Sequence, residues 1–93
     1  MGKRTDIAIE TLKNGGYFWG SKDFDYYGKP IVKIRLVGSD MKTVKGIGTS
    51  TLIELAKQGL IRYVDRPGEY RNVIEMMMEL RGLIYGKYEW AQQ

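Results

Sequence analysis

Two carboxylate pairs stand close enough in this sequence to share a chemical task, Asp23 with Asp25 and Glu75 with Glu79. Carboxylates alone can run glycoside hydrolysis or metal-assisted hydrolysis. Asp23 and Asp25, however, fall in a polar stretch, SKDFDYYG, where acids are simply solvated. Glu75 and Glu79 mark the wet face of a helix. The 93-residue chain has no histidine and no cysteine. That removes the commonest general base and metal ligand, along with thiolate metal sites and disulfides. The sequence therefore assigns no catalytic residue, no metal ligand and no cofactor. It predicts a protein that binds rather than reacts.

Gly46-Ile47-Gly48-Thr49-Ser50 precedes an expected helix, and a glycine-rich turn there can cradle phosphate through free N–H groups. It lacks the spacing and lysine of a P-loop and the third glycine of a dinucleotide fingerprint. A compact strand-to-helix turn with a Ser/Thr cap accounts for it. The charge distribution says more. Residues 1–48 hold nine Lys/Arg against five Asp/Glu, and residues 49–93 hold six of each, so the net +4 belongs to the first half. Residues 29–48 alone carry that balance: Lys29, Lys33, Arg35, Lys42 and Lys45 face the single acid Asp40. Such a segment can meet phosphates or an acidic protein surface. Tyr17, Phe18, Trp19, Phe24, Tyr26 and Tyr27 lie nearby in sequence. Exposed rings beside a basic strand can stack on unpaired bases, although a stretch such as Tyr17-Phe18-Trp19 is more often core than platform. Trp19, Tyr26 and Tyr27 join the five cations as candidate binding residues, because Tyr and Trp also anchor protein interfaces.

These residues need elements to position them. A first helix is expected from about Asp6 to Lys13, with Thr5 as N-cap and Asn14-Gly15-Gly16 ending it. Tyr17-Phe18-Trp19 reads as a short strand and residues 21–28 as a loop. Pro30–Val37 is a strand: Val32, Ile34 and Leu36 point one way, Lys33 and Arg35 the other. Gly38-Ser39-Asp40-Met41 is the turn, and Lys42–Ile47 returns, completing a basic hairpin with Lys33, Arg35, Thr43 and Lys45 on its outer face. A second helix follows over roughly Thr51 to Gln58, capped by Thr51 or Ser50 and stopped at Gly59. Leu60–Val64 reads as a strand.

Pro67-Gly68 is either a hairpin turn or the first turn of a helix capped by Asp65, because residues 69–81 satisfy both periods. Helix-forming Met and Leu, the Arg71–Glu75 spacing, the length, and the likeness of residues 79–84 to the helix end at 54–61 favour the helix. One of Met76, Met77 and Met78 must be exposed, since all three cannot face one small core. Leu83–Trp90 reads as a last strand or a short extended tail. The expected fold is a single α+β domain over residues 1–93, a small antiparallel sheet with two or three helices in the order α-β-β-β-α-β-α-β.

Two stretches carry resemblances. TSTLIELAKQGLIRYV, Thr49–Val64, resembles the helix-then-strand passage of winged-helix proteins, although no two-helix helix-turn-helix unit precedes it. TLKNGGYF at 11–18, VKGIG at 44–48 and residues 55–61 together resemble small accessory proteins encoded by phages and prophages, a group that includes inhibitors of bacterial defence systems. That resemblance implies a non-catalytic protein acting on a host protein or nucleoprotein complex that handles nucleic acid or defence. It carries over no functional residue. The alternative expectation is direct DNA or RNA binding through the basic 29–48 hairpin. No apolar run approaches the roughly 20 residues needed to span a bilayer, and no secretory signal follows the N-terminal MGKRTD. The expected setting is cytoplasmic, the host cytoplasm for a phage-encoded chain, with no membrane partner; oligomeric state is left open.

Overall fold

β1 (Tyr17–Phe24) and β2 (Pro30–Val37) pair along their whole length, and this long hairpin is the centre of the architecture in a computed structural model that describes residues 2–91. The remaining elements are α1 (Lys3–Lys13), β3 (Thr43–Val44), α2 (Thr49–Lys57), β4 (Ile61–Tyr63), α3 (Val73–Leu80) and β5 (Gly86–Trp90). The order is the α-β-β-β-α-β-α-β expected. The five strands form one antiparallel sheet in the order β3-β2-β1-β5-β4.

Strand alternation divides the sheet into two unlike faces. Phe18, Ile34, Leu36, Ile61 and Tyr88 are buried on one face. They meet Ala8 and Leu12 of α1, Leu52, Leu55 and Ala56 of α2, and Val73 and Met76 of α3 in one core cluster. All three helices therefore cover the same face. The other face carries no helix among the described residues.

Several boundaries differ from expectation for physical reasons. α1 begins at Lys3 with Gly2 before it, and Thr5 caps nothing. Thr5, Ala8 and Leu12 recur at i, i+3 and i+7 on the buried stripe, so packing takes Thr5 into the interface. α2 begins at Thr49 with Gly48 as N-cap and no side-chain cap, because Thr51 too is buried. Its end matches expectation: Gly59 adopts φ 71°, its N–H donates to Ala56 O, and Leu60 N–H donates to Leu55 O. Those two bonds are the paired closure that a left-handed residue makes possible.

The 69–81 ambiguity resolves as helix α3, but Asn72 rather than Asp65 caps it. Asn72 Oδ1 accepts from Glu75 N–H at 2.8 Å, and Arg71 Nε lies 3.0 Å from Glu75 Oε2. Asn72→Ala is expected to cost about 1 kcal/mol, read as a lower urea midpoint with an unchanged slope. The methionine run divides as anticipated: Met76 is fully buried, Met77 half-buried and Met78 exposed.

Residues 21–24 extend β1 instead of forming a loop; only 25–29 turn. The return strand expected over Lys42–Ile47 shrinks to Thr43–Val44, because Lys45-Gly46 turns with Gly46 at φ 82°. β5 starts at Gly86, not Leu83. The Tyr88 hydroxyl donates to Ile84 O (2.7 Å) and accepts from Ile84 N–H (3.2 Å), while the Tyr63 hydroxyl donates to Tyr85 O. Side chains thus take the backbone groups that a longer ladder would use. Gly86, at φ 124°, pairs with Gly20, and this gap in the sheet admits the network. A Cβ at Gly86 would collide with Asp65 Oδ2 and the Tyr63 hydroxyl, and one at Gly20 would lie 3.0 Å from Ile84 O.

Candidate nucleic-acid interface on the open sheet face

Tyr17-Phe18-Trp19 is strand, so its three rings cannot share a surface. Phe18 is fully buried, whereas Trp19 remains 43% exposed on the open face, with Tyr17 half-buried beside it. The register sets Arg35 of β2 directly across from Trp19 on one side and Lys87 of β5 on the other. With strands about 4.8 Å apart, the row Arg35–Trp19–Lys87 is cation, indole, cation. The next row along β1 pairs Tyr17 with Val37, and the row on the other side pairs Ser21 with Lys33.

Lys87 Nζ sits 4.6 Å from the Tyr17 ring centroid, a cation–π distance. Met41, in the β2–β3 turn, accepts a long sulfur contact from the Tyr17 hydroxyl at 4.0 Å. Tyr17, Trp19, Val37, Met41 and Lys87 surround an open depression of about 430 Å³. Its walls are rings, thioether and aliphatic carbon with one ammonium. That lining suits a flat aromatic group attached to an anion.

By register and alternation, this face holds four cations, Lys33, Arg35, Arg62 and Lys87, against two carboxylates, Asp23 and Glu89. Lys33 pairs with Asp23 at 3.8 Å, while Arg62 and Lys87 approach Glu89 at 3.7 and 3.3 Å. Exposed pairs of this kind hold about 0–1 kcal/mol each, so an incoming phosphate can exchange for the carboxylate. Arg35 has no carboxylate partner among the described residues.

The expected binding residues fall into three places. Trp19, Lys33 and Arg35 come together on the open face. Tyr26 and Tyr27 occupy the tip of the β1–β2 hairpin, with Lys29 where the turn ends. Lys42 and Lys45 flank β3 at the far end of β2, and Lys45 lies beyond the paired residues. An eight-residue strand is about 25 Å long, so Lys29 is remote from Lys42 and Lys45. The 29–48 segment is therefore not one basic surface. Lys87 and Tyr17 are the additions. Alternation through Tyr17-Phe18-Trp19 would have exposed Tyr17; nothing local predicts Lys87, which the sheet order brings in.

Two of the proposed acids, Asp23 and Asp25, are engaged elsewhere. Asp23 pairs with Lys33, and Asp25 Oδ1 accepts from Tyr27 N–H (2.9 Å) and Lys29 N–H (2.8 Å), shaping the turn. No group of three or more Asp or Glu among the described residues is arranged to hold a metal ion. Comparison with protein-family models, curated proteins and solved structures gives no match. Among the described residues, no helix is long and apolar enough to cross a membrane.

Proposed function

We propose that the open sheet face binds single-stranded nucleic acid. The observation that carries this reading is the row Arg35–Trp19–Lys87, with Tyr17 one register step away. Unpaired bases present π-faces that stack on indole and phenol, and the flanking cations take the phosphates on either side. A duplex offers no free base face to these rings, so it is the weaker ligand. The cations that hold exposed ion pairs exchange them without large cost, and among the described residues Arg35 has none to break.

Salt dependence tests this. Three phosphate contacts, from Lys33, Arg35 and Lys87, give a slope of log K against log salt of about −2 for a single strand. Replacing all three by Gln is expected to bring the slope near zero and to lower affinity for a labelled oligonucleotide in anisotropy titrations. A slope unchanged by the triple variant, or tighter binding of duplex than of single strand, removes the reading.

Tyr26 and Tyr27 favour a second reading, an accessory protein that docks on a host protein or nucleoprotein complex in the cytoplasm. They are 96% and 85% exposed, with their rings edge to face at 5.4 Å on a turn fixed by Asp25. Exposed tyrosines are efficient interface anchors. The resemblance of residues 11–18, 44–48 and 55–61 to phage-encoded accessory proteins supports the same reading. Capture of a nuclease-resistant partner from bacterial lysate is expected to fall at least tenfold, by about 1.4 kcal/mol or more, in Tyr26→Ala/Tyr27→Ala. Capture that survives the double substitution counts against it.

A further inference from the structure

A second cavity, of about 550 Å³, lies along the free side of β4. β4 is an edge strand, and its hydrogen bonds to β5 follow from two fixed points. Val64 N–H donates to Lys87 O, and Ala91 N–H donates to Leu60 O. Antiparallel ladders alternate, so Leu60, Arg62 and Val64 direct their backbone groups to β5. Ile61 and Tyr63, between them, turn their N–H and C=O groups the other way, and both residues line the cavity. No strand pairs with that side among the described residues. The opposite wall is the 66–72 segment, with Arg66, Tyr70 and Arg71.

The charge of the lining is one-sided. Arg62, Arg66 and Arg71 line the cavity, and among the described residues no carboxylate does. Each arginine now reaches outward to a glutamate: Arg62 to Glu89 at 3.7 Å, Arg66 to Glu69 at 3.3 Å, Arg71 to Glu75 at 3.0 Å. These are exposed pairs, cheap to exchange. Guanidinium groups suit carboxylates because they can bind them bidentately. Unpaired strand backbone beside them suits an extended chain, not a small anion or a base.

We propose that this groove takes an acidic extended peptide segment of a partner protein, added to β4 as a sixth strand. Its backbone bonds to Ile61 and Tyr63. Its alternate carboxylates meet Arg66 and Arg71, with Arg62 at the rim. The site is separate from the row centred on Trp19, so it stands or falls independently of nucleic-acid binding.

The test uses a short peptide of alternating Glu and Val, added to the uniformly ¹⁵N-labelled full chain and followed by amide NMR. The amides of Ile61 and Tyr63 are expected to shift and to gain protection from hydrogen exchange at millimolar peptide. The same peptide with alternate backbone nitrogens methylated loses its N–H donors, and is expected to bind at least about tenfold more weakly. Arg66→Ala/Arg71→Ala is expected to weaken the unmethylated peptide similarly while leaving the oligonucleotide affinity of the open face unchanged. Unmoved Ile61 and Tyr63 amides, equal binding of a Lys–Val peptide, or equal binding of the methylated peptide overturns the proposal. So does a single-stranded oligonucleotide that shifts these two amides in place of the peptide.

Discussion

Trp19→Ala is expected to lower affinity for a single-stranded oligonucleotide by about five- to 150-fold, since a base–aromatic stack is worth about 1–3 kcal/mol. Phe18→Ala, one residue away, is expected to do the opposite kind of damage. Phe18 is fully buried across from Leu36 on one side and Tyr88 on the other. Emptying such a site costs about 3–5 kcal/mol. At about 0.05–0.15 kcal/mol per residue, a chain of this length holds only about 5–14 kcal/mol in total. Trp19, 43% exposed, leaves no comparable cavity. Urea unfolding and anisotropy on both variants separate the effects. Trp19→Ala should unfold near the wild-type midpoint yet bind poorly. Phe18→Ala should unfold much earlier and, where still folded, bind within a fewfold of wild type. Loss of stability in Trp19→Ala with retained binding would invert the assignment of the two faces.

That contrast rests on parity along one strand, which is also what made part of the fold legible. Val32–Leu36 alternates strictly because β2 lies between two strands with one covered face, so both faces are readable; towards its ends Ile31 and Val37 put apolar side chains on the open face. Ser21–Phe24 gave no such signal. Lys22 and Phe24 stand on the core side of the register but are exposed, because this end of the hairpin runs past the helices. Its strand character comes from pairing with Pro30–Lys33, not from its own pattern. The Thr5 and Thr51 caps failed for a related reason: both residues can cap, but the buried stripe claims them first. At the site, Arg35 and Trp19 were found from composition and period. Lys87 was not, because β5 enters beside β1 only through the sheet order, which local sequence does not encode. The same order exposes β4 as an edge and opens the arginine-lined groove.

Tyr88 holds the other half of the sheet to that plan, and its removal has a pH signature. Its ring is fully buried, 5.0 Å from that of Tyr63, and its hydroxyl satisfies both backbone groups of Ile84. Tyr88→Phe leaves that N–H and C=O without their partner, at a cost of about 1–3 kcal/mol. Burial pushes the Tyr88 phenol up to about 12, against the bond from Ile84 N–H, which favours the charged form; the Tyr63 and Asp65 charges add to the rise. In the unfolded chain the phenol titrates near 10. The folded state therefore retains its proton while the unfolded state loses it. Stability is fully present below about pH 10 and falls as pH rises through about 12, by about 2–3 kcal/mol for this group. Tyr63, raised in the same direction by burial and then by Asp65, adds to the fall. Tyr88→Phe lacks the largest contribution. Urea midpoints of wild type and variant should thus be well separated at pH 8 and should draw together towards pH 12. Parallel curves across that range would mean that Tyr88 ionises as freely in the folded protein as in the unfolded chain, and that its hydroxyl is not sealed against Ile84.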